Sequence, residues 1–103
     1  MFINVFINRK RPGYDAASYA ADSERMMALA QAQPGFVSYR RYSSGDGEDV
    51  SISEWESEDA ARAWGRHPEH LAAQGRGRSD YYQSYTTYNC ADPRISHFDR
   101  SDT

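Results

Sequence analysis

The sequence predicts one α+β domain of ferredoxin-like type, with element order β-α-β-β-α-β and a four-stranded antiparallel sheet covered on one face by helices. Three features carry that expectation. Four short runs are rich in Phe, Ile, Val, Tyr and Thr; two segments with helical spacing of apolar and small residues lie between them; and a loop with two glycines joins the middle pair of strands. At 103 residues the chain has the size of a single domain, and a domain this small buries about two thirds of the surface its unfolded chain exposes.

The first run, Phe2 to Asn8, stops at the turn-forming Arg9-Lys10-Arg11-Pro12-Gly13 and reads as a strand. Ala16, Tyr19, Ala20, Met27 and Ala30 then form a helical stripe, opened by Asp15 as N-cap and closed before Pro34-Gly35, so a helix is expected over residues 15–32. Phe36 to Ser43 and Asp49 to Glu56 read as antiparallel strands joined by Ser44-Gly45-Asp46-Gly47-Glu48. Ser57 starts a second helix with Glu58 and Asp59 in its first turn, where the helix dipole favours negative charge. Pro68 forces a restart near His67, because proline suits a helix's first turn and disrupts its interior; Gly75 and Gly77 weaken the end of the stretch that follows. Tyr81 to Cys90 is the last strand. The expected organisation is a domain over residues 1–92 and a polar tail over 93–103, with Ile95 and Phe98 able to dock the tail onto a partner subunit.

Alternation along the first strand puts Phe2 and Phe6 on one side and Ile3, Val5 and Ile7 on the other, so both faces of the sheet need burial while the helices cover one. In so short a chain an identical subunit is the simplest cover, which predicts a two-fold homodimer with sheets packed face to face. Aromatic residues make up 14% of the chain against 39% hydrophobic in all, so the core leans on Tyr, Trp and Phe. A net charge of −3 with scattered Lys and Arg gives phosphate-backbone binding nothing to rest on, which excludes a nucleic-acid partner. Cys90 is alone, so no internal disulfide is possible. No basic segment followed by an apolar one opens the chain, and no apolar run approaches the roughly 20 residues of a membrane span; a cytoplasmic protein away from the membrane is expected.

Pro34-Gly35-Phe36 leading into a strand, Ser53-Glu54-Trp55-Glu56-Ser57-Glu58 closing the next strand into a helix, Ala63-Trp64, and His67-Pro68-Glu69-His70 together resemble the antibiotic-biosynthesis-monooxygenase (ABM) family over roughly residues 1–92. The resemblance implies a dimeric α+β barrel with one small-molecule pocket per subunit between sheet and helices. Some members of the family oxidise aromatic polyketide intermediates with O₂ and no cofactor, and others bind and degrade haem. The leading expectation is a cofactor-independent monooxygenase acting on a small aromatic or polyketide-like molecule, with no bound cofactor. The alternatives are a haem-binding or haem-degrading relative and a non-catalytic dimeric small-molecule-binding module.

Oxygenation without a cofactor needs a substrate anion able to give an electron to O₂, so the protein supplies a dry aromatic slot and groups that favour the anion. Candidate catalytic residues are Trp64, which the resemblance places in the pocket, and His67 and His70, three residues apart near a helix N-terminus where the dipole favours neutral imidazole. Candidate substrate-binding residues are Asn4, Trp55, Tyr82 and Tyr85. Bland alternatives stand beside each. A Trp on an apolar stripe packs a core; Trp55, opposite in phase to Val50, Ile52 and Glu54, packs against a helix; His67 caps a helix while His70 sits half exposed; and Asn4 bonds internally or faces water. Strand phase puts Tyr82 and Tyr88 on one side and Tyr85 on the other, and Arg76, Arg78 and Asp80 read as a solvated cluster. The histidines lack a third ligand, so no metal site is expected. In the haem-degrading relatives a His follows the helix Trp by ten residues; here that position is Gln74, while Asn4 or Asn8 could answer to their first-strand Asn.

Overall fold

The computed structural model describes residues 1–102. Four strands, β1 (Phe2–Lys10), β2 (Phe36–Ser43), β3 (Glu48–Trp55) and β4 (Tyr82–Ala91), form one sheet in the order β2-β3-β1-β4 with every neighbouring pair antiparallel. Helix α1 (Ala16–Gln31) links β1 to β2, and α2 (Glu58–Gly65) with α3 (Pro68–Arg76) links β3 to β4. This is the ferredoxin-like arrangement expected from the sequence.

The helix starts follow local chemistry. Asp15 accepts a hydrogen bond from the Ser18 amide at 3.0 Å, Ser57 from the Ala60 amide at 3.1 Å, and His67 Nδ1 from the Glu69 amide at 3.1 Å, each satisfying a backbone donor left over at a helix N-terminus. Two expectations need correction. Arg9 and Lys10 belong to β1, not to the turn after it. Tyr81 does not open the last strand, because α3 ends at Arg76 with Gly77 as its C-cap and the chain passes straight into a π-helical turn, Gly77–Tyr81, so β4 begins at Tyr82. A Cβ on Gly77 would lie 2.6 Å from the Tyr82 ring, so this glycine lets the ring approach the backbone.

Phe2, Asn4, Phe6 and Asn8 point from β1 toward the helices, and Ile3, Val5 and Ile7 point to the opposite face. The dry core is small: Phe2, Ala30 and Trp55 at its centre, with Phe36, Ala60, Ala61 and Trp64 packed around them. Arg76, read from sequence as solvated, instead clamps α3 to α1 by a bidentate pair with Asp22 at 2.8 and 3.1 Å, and the Tyr81 hydroxyl donates to the same carboxylate at 2.8 Å. After Ala91 the described chain has no regular element before a single 3₁₀ turn at Arg100–Asp102, and Ile95 and Phe98 are 58% and 70% exposed. No helix among the described residues is long and apolar enough to cross a membrane.

Gly35 fixes the joint between α1, β2 and α2. Its φ of 82° lies in the left-handed region, its carbonyl accepts from the Glu56 amide at 2.8 Å, and a Cβ there would stand 2.6 Å from that of Ala60. Gly35→Ala is expected to destabilise the fold by about 2 kcal/mol or more through strain and overpacking, read as a lower urea midpoint at unchanged slope.

Candidate functional site

Between the sheet and the helices lies a cavity of 1250 Å³, larger than the roughly 300–1,000 Å³ of ordinary ligand pockets. It follows β1 along its length, so its floor is Phe2, Asn4, Phe6 and Asn8 in succession, and its character changes from one end to the other.

The aromatic end is built from Trp55 and Trp64. Trp55 closes β3, is 2% exposed, meets Phe36 edge-on at 5.5 Å and lies nearly parallel to Trp64 at 6.4 Å. Its indole N–H donates to Ser53 Oγ at 3.2 Å, so the ring is satisfied. Trp64 in turn carries His70, with centroids 4.4 Å apart and 10° between planes. His70 Nδ1 is 3.0 Å from the Trp64 carbonyl oxygen. A carbonyl can only accept, so Nδ1 carries the hydrogen and, in the neutral ring, Nε2 carries the lone pair. Burial lowers the His70 pKa, helped by the charge of His67 and opposed by the bond to Trp64. The prediction is an imidazole that titrates below the ordinary 6.5, followed by its ring-proton NMR shifts against pH. Folding therefore gains from His70 above that ordinary value, and the gain is lost as pH falls through the depressed folded value.

The middle of the floor is polar. Asn4 Nδ2 donates to Asn89 Oδ1 at 2.9 Å across the β1–β4 pair, and both side chains line the cavity. Such a pair keeps one amide oxygen and one N–H₂ group for a ligand. At the far end Phe6, Tyr82 and Tyr85 form a three-ring cluster with centroids 5.3 to 5.7 Å apart, beside Tyr19 from α1.

Six of the seven residues singled out from sequence, Asn4, Trp55, Trp64, His70, Tyr82 and Tyr85, line this one cavity. His67 is not among the lining residues: its Nδ1 is spent on the cap of α3 and its ring lies 5.4 Å from Trp64 at a 50° tilt. The phase assigned to Tyr82 and Tyr85 is corrected. The register slips between Arg9 and Lys10, where Arg9 faces Ser84 and Lys10 faces Tyr82, and the extra residue Gln83 turns both tyrosines inward. Asn89, Tyr19 and Arg41 also line the cavity and went unread in the sequence. Asn89 had the same signal as Asn4, an amide in a strand of other chemistry. Tyr19 was absorbed into a helical stripe that does reach the cavity.

The chain matches the Antibiotic biosynthesis monooxygenase family over residues 1–76. An uncharacterized protein of Bacillus subtilis, YqjZ, is 43% identical over 67 residues, a match that spans 65% of this chain and 59% of that protein. Among solved structures, Rv0793 from Mycobacterium tuberculosis superposes with a TM-score of 0.79 at 18% identity, covering 93% of this chain and 98% of that one. SnoaB from Streptomyces nogalater, a cofactor-independent oxygenase, superposes with a TM-score of 0.69 at 22% identity, covering 92% and 97%. At such identities the two structures speak for the fold, and the family match speaks for descent: the chain belongs to the antibiotic biosynthesis monooxygenase family.

Proposed function

We propose that this protein is a cofactor-independent monooxygenase that uses O₂ to oxidise a flat, electron-rich aromatic molecule of the anthrone type. The observation that carries the proposal is the Trp64–His70 stack on the cavity wall, which holds a neutral imidazole with its proton on Nδ1 against an aromatic surface. His70 Nε2 accepts a proton from the substrate's acidic C–H, and the stacked indoles and the Asn4–Asn89 amides hold the resulting anion. The anion passes one electron to O₂, and superoxide joins the carbon radical to form a C–O bond. The peroxide takes back the proton held by His70, and loss of water leaves a carbonyl, so that CH₂ and O₂ become C=O and H₂O.

Dithranol oxidation under air and under argon tests this. Oxygen-dependent quinone formation is expected, with His70→Ala losing about a hundredfold in rate, the range of a removed general base. Wild-type rates in His70→Ala would sink the assignment of the base, and no oxidation despite tight anthrone binding would leave a non-catalytic binding module. A haem reading would have to rest on His70, because Gln74 lines the cavity with an amide that is no iron ligand; a stoichiometric Soret shift on hemin titration, abolished by His70→Ala, would revive it.

The working form is proposed to be a homodimer. Ile3, Val5, Ile7 and Ile52 share the sheet face away from the helices with the exposed rings of Tyr42 and Tyr88, and that apolar face calls for a second sheet. Residues 93–103 are proposed as a tail that docks Ile95 and Phe98 on the partner. Light scattering that reports a monomer at micromolar concentration would end the first idea, and an unchanged dimer dissociation constant after truncation at 92 would end the second.

A further inference from the structure

The far end of the cavity has its own chemistry, and nothing in the reaction proposed above uses it. We propose that the corner formed by Tyr19, Tyr82 and Arg41 is a second binding subsite, which holds the acidic oxygen of a small planar aromatic acid or acidic phenol. The proposal concerns binding and stands apart from any turnover at His70.

The tyrosine hydroxyls, both on cavity-lining residues, are 3.5 Å apart, at the long limit of a hydrogen bond, so each keeps capacity for a third oxygen between or beside them. Behind them Lys10 is fixed and nearly buried, its side chain 8% exposed. Its ammonium donates to Asn8 Oδ1 at 2.5 Å and to Asp49 Oδ2 at 2.7 Å, and sits 4.4 Å from the centroid of the Tyr19 ring. Arg41 lines the cavity in front, 5.5 Å from the same centroid and 3.6 Å from Asp49. Two cations therefore share one carboxylate, and the corner keeps an excess of positive charge. The other acids near it do not cancel that excess. Asp22 is taken up by Arg76 and Tyr81, and Glu24 lies more than a helical turn beyond Tyr19.

The electrostatics of Tyr19 agree. Burial alone would raise its pKa, yet the hydrogen bond with Tyr82 and the charge of Lys10, with smaller help from Ser23 and Arg41, hold it below the ordinary 10.0; Tyr82 is pushed up by burial and by Tyr19. The charges of Lys10 and Arg41, which favour negative oxygen on Tyr19, act in the same direction on a ligand oxygen placed beside it. The subsite is also separate from the indole end. Phe2 pairs with Trp55 and Lys10 with Tyr82, and the eight residue steps from Phe2 to Lys10 span about 27 Å of strand, longer than a molecule of three fused rings.

Calorimetric titration of the full chain with 1-hydroxy-2-naphthoate, and with 2-naphthol as the analogue without a carboxylate, decides the matter. Hydroxynaphthoate is expected to bind about tenfold more tightly than naphthol, the scale of one hydrogen bond to a charged group. Tyr19→Phe keeps the ring and removes the hydroxyl, and Arg41→Gln removes the charge; each is expected to weaken hydroxynaphthoate about tenfold and leave naphthol within twofold, with folding checked by circular dichroism. Equal affinity for the two probes, no binding of either, or loss of hydroxynaphthoate binding in Trp64→Phe but not in Tyr19→Phe would each overturn the proposal.

Discussion

Trp55→Ala is expected to cost about 3–5 kcal/mol of unfolding free energy, the range of large aromatic truncations in a core that cannot collapse. Domains of this kind hold only about 5–15 kcal/mol in total, so the variant should sit near the edge of folding at 37 °C. The reason lies in how little dry core the chain has. Phe2, Ala30, Trp55 and Tyr81 are its buried hydrophobic residues, and Trp55 is the largest fully buried side chain. Phe36 meets the indole edge-on and Trp64 lies parallel to it, so removal opens a hole bounded by two strands and α2. The neighbouring cavity aggravates the loss, because side chains on that side have no second layer to lean on. Urea unfolding with the slope held constant measures it; a cost under 1 kcal/mol would mean that Trp55 lines empty space and supports nothing.

The same indole illustrates what was legible in the sequence. Its phase, opposite to Val50, Ile52 and Glu54, placed it toward a helix, and the structure puts it against Trp64 of α2. The element order was legible because each strand is bounded by turn residues and each helix begins with a side chain that can accept from the backbone. Asn4 was legible for the same periodic reason: two positions from Phe2 and from Phe6, it had to share their side. Strict alternation failed at the end of β1. There Gln83 is the extra residue that turns Tyr82 and Tyr85 to one side, and no local feature of Tyr81-Tyr82-Gln83-Ser84-Tyr85 announces a bulge. For His67 the sequence already offered the cap as an alternative to a catalytic role, whereas nothing in it tied His70 to Trp64. In the structure one nitrogen of His67 caps α3, and the His70 ring reaches back a turn and a half to the Trp64 carbonyl. Lys10 was assigned to the turn with its basic neighbours Arg9 and Arg11, although its phase with Asn4, Phe6 and Asn8 already aimed it at the helix side.

Lys10 also carries the second large expected effect. Asp49→Ala should destabilise the protein by about 3–5 kcal/mol, because it strands a buried ammonium rather than because the ion pair is strong in itself. Asp49 Oδ2 accepts from Lys10 at 2.7 Å, and Oδ1 accepts from Ser43 Oγ at 2.5 Å. With Asp49 gone, Lys10 retains the neutral Asn8 oxygen and the faces of the Tyr19 and Tyr82 rings, none of which carries a negative charge. Lys10→Met should cost less, since Asp49 keeps Ser43 and Arg41 and is itself more exposed. The double variant Lys10→Met/Asp49→Ala should then be more stable than Asp49→Ala alone, the mark of a penalty that belongs to an unpaired charge. Acid provides an independent check. Burial by itself would raise the Asp49 pKa, but the hydrogen bonds from Lys10 and Ser43 and the charges of Lys10 and Arg41 hold it below the ordinary 3.8. A carboxylate depressed in the folded state stabilises above its unfolded pKa, and that contribution is lost as pH falls through the folded value. Wild type should thus lose stability below about pH 4 more steeply than Asp49→Ala, which lacks the group. Parallel acid profiles for the two proteins, or a double variant no more stable than Asp49→Ala, would show that Lys10 finds adequate solvation without Asp49. The positive charge beneath Tyr19 would then be too well hydrated to act on a ligand.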